Sequence, residues 1–193
     1  MNRLCVFCGA SAGARPEFKT QARRLGAVLA DQGIGLVYGG GNVGLMGEIA
    51  DAALARGGYV IGVMPRALVA KEVAHKGLTD LRIVGSMHER KAMMAELSDG
   101  FLAMPGGFGT IEEFVEVLTW SQLGLHNKPC ALLNVAGYFD PLLAFVEHAV
   151  REGFVRAEHA RLVLAGTDPA SLVRELATWR PTAAPRWIGR GDA

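Results

Sequence analysis

Short apolar runs alternate with longer segments of helical periodicity along the whole chain. The apolar runs, which are typical of strands, occupy residues 3–8, 34–38, 59–64, 81–84, 100–104, 130–134 and 161–164. Apolar residues that recur every three or four positions predict helices over 16–32, 45–56, 87–98, 110–124, 139–152 and 169–179. Continuous apolar strands separated by helices are typical of a parallel sheet covered on both faces. The pattern therefore predicts an α/β fold, a doubly wound, Rossmann-like parallel sheet in a single domain.

Two segments interrupt this alternation. Residues 65–80, PRALVAKEVAHKGLTD, are the least regular part of the chain, and we expect them to form a loop over the binding edge of the sheet. The residues from Arg180 onward are rich in proline, glycine and arginine, which is typical of a fraying terminus. We therefore expect one domain over residues 1–180 and a flexible C-terminal tail over 181–193.

Composition narrows the class of protein. The chain has 193 residues, half of them hydrophobic, so it can bury one substantial core. A net charge of +1 gives no basic field for nucleic acid, and no apolar stretch is long enough to span a bilayer. The N-terminus lacks the layout of a signal peptide, and three cysteines without an export signal fit a reducing compartment. We expect a cytoplasmic protein without a nucleic-acid or membrane partner.

Glycine-rich loops follow three of the predicted strands, and each comes directly before a predicted helix. They are CGASAG at 8–13, GGGNVGLMG at 39–47 and PGGFGT at 105–110. Because parallel strands end at the same edge of a sheet, these loops should lie together, where helix-start amides can bind an anion. The first two loops contribute five candidate ligand contacts: Gly9, Ser11, Gly40, Gly41 and Gly44.

Two of these loops match familiar motifs only in part. Gly39, Gly41 and Gly44 fit G-x-G-x-x-G, but the next strand ends IGVMPRA, without the acid that would hold an NAD ribose. Phosphate contact is the better interpretation, and a tight turn with close helix packing is the alternative. GASAG fits the G-x-S-x-G nucleophile elbow, but no Asp-then-His order follows, so Ser11 is a hydrogen-bond donor to ligand or a helix cap.

The cysteines and histidines do not form a reactive or metal-binding cluster in the sequence. Cys5 and Cys8 form C-x-x-C inside a predicted strand, where alternation sends them to opposite faces, so both are expected to be buried and structural. His88-Glu89 lacks the second histidine of the zinc helix, and no other spacing predicts a metal.

The segment SMHERKAMMAEL, residues 86–97, places an arginine on an apolar face. Ser86 and Glu89 fit a capping box that starts a helix. Arg90 shares one face of that helix with Met87, Met93, Met94 and Leu97. A guanidinium there is costly unless it meets an anion or reaches water. We expect Arg90 to face an enclosed anionic site, with Lys91 beside it; a structural salt bridge is the alternative.

The segment PGGFGTIEEF, residues 105–114, combines a glycine elbow with carboxylates. Thr110 and Glu113 fit a second capping box, so a pure capping role for Glu113 is the alternative to a chemical one. On this helix we expect a buried stripe of Ile111, Phe114, Val115 and Leu118, with Glu112, Glu113 and Glu116 turned away from it. Glycine-rich helix starts bind phosphate, whereas carboxylates repel it. The combination suits a ligand with an anionic end and a centre that becomes cationic.

The three motifs together resemble the LOG (Lonely guy) family of cytokinin riboside 5′-monophosphate phosphoribohydrolases. PGGFGTIEE matches P-G-G-x-G-T-x-x-E, and GGGNVGLMG and MHERK stand at the right order and spacing. The likeness runs from Cys5 to about residue 165, with Ala10 where the family often has serine. Members have often been labelled possible lysine decarboxylases, but the sequence carries no pyridoxal-phosphate signature.

The resemblance implies a nucleotide-hydrolysing domain that cleaves the N-glycosidic bond of a cytokinin-type or adenine nucleoside monophosphate. It implies no cofactor, and a homodimer with the site close to the subunit interface. Arg90 and Glu113 are implied as the active-site pair. The implied substrate contacts are Glu72, Lys91, Gly107, Phe108, Gly109, Thr110, Ile111, Glu112 and Thr119, and the helix-start amides add Gly106.

This chemistry agrees with the residues themselves. Loss of the base leaves oxocarbenium character at C1′, which a carboxylate such as Glu113 stabilises directly or by activating water. The 5′-phosphate would lie on the helix-start amides of residues 106–110. The alternative is a non-catalytic nucleotide or molybdenum-cofactor carrier of the same fold, which need not keep the Arg90 and Glu113 pair.

Overall fold

The computed structural model describes residues 1–69 and 74–180. Within these residues seven strands, all parallel, form one sheet in the order β4-β3-β2-β1-β5-β6-β7. The strands are β1 Arg3–Phe7, β2 Gly35–Tyr38, β3 Val60–Pro65, β4 Asp80–Val84, β5 Gly100–Ala103, β6 Cys130–Leu133 and β7 Val163–Gly166. The predicted α/β parallel sheet is confirmed.

Helices connect the strands on both faces of this sheet. They are α1 Pro16–Asp31, α2 Gly44–Leu54, α3 Arg66–Val69, α4 Met87–Glu96, α5 Phe108–Leu123, α6 Asp140–Arg151, α7 Ala157–Ala160 and α8 Pro169–Thr178, with a 3-10 turn at Val135–Gly137. In the described part of the chain no helix combines the length and the apolar character needed to cross a membrane.

The sheet separates two hydrophobic cores, because successive strand residues point to opposite faces. One core joins alternate strand residues to α1, α2 and α8, and the other joins the remaining strand residues to α4, α5 and α6. Cys8 belongs to the first core and Cys5 to the second, and both are buried free thiols. The prediction that these cysteines are buried on opposite faces is confirmed.

The strand order reverses at β1, which pairs with β2 on one side and β5 on the other. Connections on the two sides of this point diverge, which opens a crevice at the carboxyl ends of β1 and β5. The loops that follow these two strands are joined directly, since Gly9 N donates to Pro105 O at 3.0 Å. The fold therefore places the first and third glycine loops at the switch point.

The capping box at α4 is confirmed with one variation. Ser86 Oγ accepts the Glu89 N–H at 3.1 Å, and the helix begins at Met87. The Glu89 carboxylate accepts the N–H of Gly85 at 2.6 Å. In the usual capping box this carboxylate accepts the N–H of the N-cap residue, here Ser86. In this protein it accepts the N–H of the preceding residue and fixes the backbone just before the helix.

The predicted capping box at α5 is wrong. This helix begins at Phe108 with Gly107 as its N-cap and has no side-chain cap. Thr110 lies inside the first turn and is 5 % exposed. Because Gly107 and not Thr110 is the N-cap, Glu113 has no role at the helix end.

The predicted buried stripe of α5 is also partly wrong. Phe114 is buried as expected, but Val115 is 42 % exposed and Val117 is buried instead. This helix carries apolar residues on most of its circumference, so the periodic pattern alone does not define which face meets the sheet.

The irregular segment after β3 is described only in part. Residues 66–69 form the short helix α3, and Ala74 pairs with Gly41 in an isolated antiparallel bridge. His75 N donates to Gly40 O at 3.0 Å, so the end of the segment lies against the second glycine loop. Residues 70–73, which include Glu72, and the predicted tail at 181–193 lie outside the described residues.

Candidate active site

A cavity of about 530 Å³ lies at the carboxyl edge of the sheet, over the switch point. The first and third glycine loops form much of its wall, and Gly39, Arg90 and Glu113 reach it from neighbouring elements. Its lining includes six of the residues proposed from the first and third loops, namely Gly9, Ser11, Gly106, Gly107, Gly109 and Thr110. The three loops meet at one edge, as the sequence predicted.

Arg90 and Glu113 form an ion pair inside this wall. Arg90 Nη1 donates to Glu113 Oε1 at 2.6 Å, and the two side chains are 11 % and 12 % exposed. Arg90 Nε donates to the carbonyl of Val63 at 3.0 Å, at the end of β3. Two bonds on different atoms fix the guanidinium plane, which leaves Arg90 Nη2 on the side of the second glycine loop.

Gly39 makes room for that guanidinium. A Cβ atom at Gly39 would lie 2.3 Å from Arg90 Nη2, well inside contact distance. The first glycine of the GGGNVG motif is therefore required by the arginine, which the sequence motif alone did not indicate.

The carboxylate of Glu113 has a perturbed environment. Burial raises its pKa above the ordinary value of 4.5, and the charge and hydrogen bond of Arg90 oppose that rise. Desolvation disfavours the ionised form, whereas a cation in contact favours it. Raised pKa values beside a cavity are typical of groups that take part in chemistry.

The start of α5 offers unpaired backbone donors at the same cavity. The first N–H groups of any helix lack intrahelical partners, and this helix has no side-chain cap. These amides and the positive end of the helix dipole favour a negative group.

The glycines of this elbow differ in what requires them. A Cβ at Gly106 would lie 2.1 Å from Thr110 Oγ1, so the fold itself requires that glycine. A Cβ at Gly107 or at Gly109 would meet no atom of the described residues within 4 Å, and neither residue has a positive φ. Packing among the described residues does not require glycine at 107 or 109, so the missing side chains leave space for a ligand.

The glycines of the second loop serve backbone packing, whereas the sequence predicted contact with phosphate. Gly44 has φ +60°, and a Cβ there would lie 2.3 Å from the Ala10 backbone. The amide of Leu45, in the first turn of α2, donates to Gly9 O at 3.0 Å and is therefore occupied. The structure places Gly40, Gly41 and Gly44 outside the cavity lining.

Several candidate contacts do not line this cavity. Lys91 Nζ donates to Glu112 at 2.7 Å and to Glu116 at 2.9 Å. Thr119 Oγ1 donates to Val115 O at 2.7 Å, and Phe108 is 98 % exposed. The structure therefore does not bring five of the proposed contacts to the cavity of this chain: Lys91, Phe108, Ile111, Glu112 and Thr119.

Sequence reasoning missed other parts of the wall. Phe18 from α1, Met46 from α2 and Tyr138 after β6 all line the cavity. The signal for Tyr138 was present in NVAGYFD, a glycine-containing loop that follows a strand at the same sheet edge. Phe18 and Met46 carry no such signal, because apolar helix residues at cavity walls and in cores share one pattern.

Comparisons with known proteins show the family to which the chain is similar. The model of the family described as "Possible lysine decarboxylase" matches residues 46–176. A probable cytokinin riboside 5′-monophosphate phosphoribohydrolase of Oryza sativa subsp. japonica is 52 % identical over 93 % of this chain and 79 % of its own length. A cytokinin riboside 5′-monophosphate phosphoribohydrolase of Rhodococcoides fascians is 54 % identical over 83 % of this chain and 82 % of its own.

Solved structures share the fold at lower identity. The molybdenum cofactor carrier protein of Chlamydomonas reinhardtii superposes with a TM-score of 0.70 at 24 % identity, over 92 % of this chain and 98 % of the carrier. The molybdenum cofactor binding protein of Rippkaea orientalis has a TM-score of 0.67 at 23 % identity, over 91 % and 97 %. At this identity the likeness shows the architecture alone.

Proposed function

The chain belongs to the family described as possible lysine decarboxylases, with the LOG proteins among its relatives, and we propose that it is a nucleoside 5′-monophosphate phosphoribohydrolase. It hydrolyses the N-glycosidic bond of a purine nucleotide, of the cytokinin type or AMP, to the free base and ribose 5-phosphate. The observation that carries this proposal is the Arg90–Glu113 pair, which lines the same cavity as the uncapped start of α5.

The phosphate binds at the first turn of α5. Its amides have no side-chain cap, and Gly107 and Gly109 leave the approach to them open. Thr110, buried in the same turn, also lines the cavity. A dianionic phosphate suits this site because the helix dipole and the amide donors act on it together.

Glu113 acts at the sugar. The oxygen of a water molecule bonds to C1′ as the bond between C1′ and the base nitrogen breaks, and the proton that the water loses ends on the departing base. The transition state has oxocarbenium character. An ionised carboxylate either stabilises this positive charge directly or removes a proton from the attacking water. Arg90 is bonded to Oε1 of Glu113, so Oε2 can face the sugar or the attacking water.

Arg90 positions this carboxylate and supports its charge. The bonds to Val63 O and to Glu113 fix the guanidinium, so the carboxylate does not have to reorganise during the reaction. The positive charge also opposes the effect of burial on the Glu113 pKa, which raises the fraction of carboxylate that is ionised near neutral pH.

The residues do not fit the decarboxylation that the family description names. A pyridoxal-phosphate enzyme holds its cofactor on a lysine amine in the active site. No lysine is among the described residues that line the cavity. Lys91, the nearest in sequence to Arg90, is bonded to Glu112 and Glu116, which raise its pKa and favour its cationic form.

A carrier function receives support from the fold alone. The molybdenum-cofactor proteins share the architecture, and architecture does not define chemistry. Binding without hydrolysis does not require a buried carboxylate held by an arginine beside the cavity. The chemistry of the site favours hydrolysis.

The functional unit is a homodimer in the cytoplasm. Phe108 and Val115 are exposed and lie two turns apart on one face of α5, where a second subunit would cover them. The three cysteines are buried free thiols, which suits a reducing compartment. Light scattering on the purified protein measures the oligomeric state directly.

The experiment that tests this function is a chromatographic assay of base release. The purified chain is incubated with AMP, isopentenyladenosine monophosphate and the matching nucleosides, and both products are measured. We expect base and ribose 5-phosphate in equal amounts from the monophosphates and little base from the nucleosides. Tight nucleotide binding without base release would favour the carrier, and equal turnover of adenosine and AMP would contradict the phosphate site.

A further inference from the structure

Tyr138 contacts the glycine elbow of residues 105–110 directly, apart from the Arg90–Glu113 pair. Its hydroxyl donates to the carbonyl of Gly106 at 2.5 Å. The side chain lines the cavity and is 41 % exposed. A tyrosine with one end on the elbow and one side open to the cavity can influence how the elbow meets a ligand.

The loop that carries Tyr138 is held in one shape. Ala136 and Gly137 both have positive φ, at +52° and +73°, and turn the chain sharply after β6. The Asn134 side chain accepts the N–H of Phe139 at 2.8 Å and donates to Asp140 at 2.7 Å. A left-handed non-glycine residue persists only where the surroundings fix the backbone, as these bonds do.

The ring of Tyr138 is fixed as well. It packs edge-on against Phe18, with ring centroids 5.8 Å apart, and against Phe139 at 5.1 Å. Edge-to-face contacts of this kind favour one ring orientation. The hydroxyl is therefore directed at Gly106 by the packing of the ring and the shape of the loop together.

The bond to Gly106 determines the orientation of the next amide. A trans peptide is planar, so the Gly106 carbonyl and the Gly107 N–H point in opposite directions. This peptide joins two glycines, whose backbone freedom would otherwise permit it to rotate. A rotated peptide would present a carbonyl oxygen where the anion needs a donor.

We propose that Tyr138 is a positioning residue for phosphate, which acts by locking the Gly106–Gly107 peptide with its N–H on the anion side of the elbow. This inference rests on the proposed function, because it assumes that the start of α5 binds the 5′-phosphate. Tyr138 acts through the backbone and makes no covalent contribution to the reaction.

The test compares Tyr138→Phe with wild type in phosphate-free buffer. This variant removes one oxygen atom and keeps the ring that packs on Phe18. Calorimetry measures the binding of inorganic phosphate and of ribose 5-phosphate, and steady-state kinetics measures AMP hydrolysis. Tyr59→Phe is the matched control, since Tyr59 is 51 % exposed and precedes β3, at the opposite edge of the sheet.

We expect Tyr138→Phe to raise Kd for inorganic phosphate and for ribose 5-phosphate by about tenfold, the effect of one lost hydrogen bond. KM for AMP should rise by the same factor with little change in kcat, because the interaction is uniform between ground and transition states. Tyr59→Phe should match wild type.

Unchanged phosphate affinity in Tyr138→Phe would overturn the proposal, as would a wild type that binds neither ligand. The binding data also separate this inference from the proposed function. If phosphate binding depends on Tyr138 but the protein does not hydrolyse AMP, the positioning role stands and the hydrolase function is wrong. If the protein hydrolyses AMP and Tyr138→Phe leaves KM unchanged, the hydrolase function stands and the positioning role is wrong.

Discussion

Arg90 Nη1 and Glu113 Oε1 lie 2.6 Å apart, although the two residues are 23 positions apart and belong to different crossover helices. Buried ion pairs are weak sources of stability, since apolar residues of similar size are often as good. A pair held at a cavity wall, with one partner also bonded to the sheet through Val63 O, is better explained by the reaction.

Removal of the arginine should affect both activity and stability. Arg90→Ala leaves Glu113 buried without its cation, so we expect a loss on the order of 3 kcal/mol in the free energy of unfolding. kcat/KM for AMP should fall by about 10²–10³, the effect of losing one preorganised partner. Urea denaturation and steady-state kinetics measure these quantities.

Two further variants separate the chemical role of Arg90 from the structural one. Arg90→Lys keeps the charge but lacks the planar fork, so it should recover stability more fully than activity. The double variant Arg90→Met, Glu113→Leu should recover much of the lost stability and remain inactive. An Arg90→Ala protein with normal activity would show that the pair is only structural.

The pH dependence of activity should report the Glu113 carboxylate. Burial raises its pKa above 4.5, and the ionised form is the active one, so kcat at saturating AMP should fall with decreasing pH through a midpoint above 4.5. Since the Arg90 charge lowers this pKa, the acid limb of Arg90→Lys, whose ammonium lies further from the carboxylate, should move to higher pH. A midpoint at or below 4.5 would contradict the assignment.

Gly107 and Gly109 should tolerate a methyl group in folding but not in binding. Neither has a close neighbour or a positive φ, so Gly107→Ala and Gly109→Ala should keep the melting temperature within a few degrees. The added methyl enters the space assigned to phosphate, so KM for AMP should rise about tenfold, near 1.4 kcal/mol.

The control for these glycines is Gly44→Ala. Its φ of +60° and the Ala10 backbone 2.3 Å from a Cβ predict a destabilised protein. Elbow variants that melt as early as Gly44→Ala would mean that the fold, and not the ligand, requires glycine at 107 and 109.

His126 should contribute to the loss of stability in acid. Burial lowers its pKa to about 4, while Nε2 donates to Val117 O at 2.8 Å. Below about pH 6.5 the unfolded chain binds a proton that the folded chain does not, which costs up to about 1.4 kcal/mol per pH unit. The free energy of unfolding is therefore unaffected by His126 above about pH 6.5 and decreases as the pH falls from 6.5 toward 4.

The measurement compares unfolding free energies at pH 7 and pH 5. His126→Gln should show a smaller decrease than wild type, by about 1–2 kcal/mol, because glutamine does not titrate. A second wild-type series at a different ionic strength is the control for general charge effects. Equal pH dependence of His126→Gln and wild type would show that His126 does not carry this effect.

Much of the fold could be predicted from the sequence because the strands are continuous apolar runs that begin and end sharply. Their carboxyl ends then had to meet at one edge, which brought the glycine loops together. The position of Arg90 on an apolar face indicated an enclosed anionic partner, and the structure supplies Glu113 as that partner. The sequence offered an enclosed anionic site and a structural salt bridge as alternatives for Arg90. The structure combines them, because the salt bridge to Glu113 lies in the cavity wall.

The errors came from interactions between elements distant in sequence. Thr110 and Glu113 fit a capping box locally, but the ion pair with Arg90 holds the glutamate elsewhere. Gly44 fits a phosphate motif, but close packing on Ala10 explains it. Tyr138 reaches the site from a loop whose turn depends on Asn134, which no periodic pattern reveals.

The central claim is that Glu113 is the carboxylate of the reaction, and the single-turnover rate of base release by Glu113→Gln tests it most directly. Glutamine keeps an oxygen for Arg90 Nη1 and removes only the charge. The control is Glu112→Gln, whose carboxylate is bonded to Lys91 and is 56 % exposed. We predict that Glu113→Gln binds AMP but releases adenine about 10²–10³ times more slowly than wild type, while Glu112→Gln shows a smaller loss. Release by Glu113→Gln at a near wild-type rate would contradict the account.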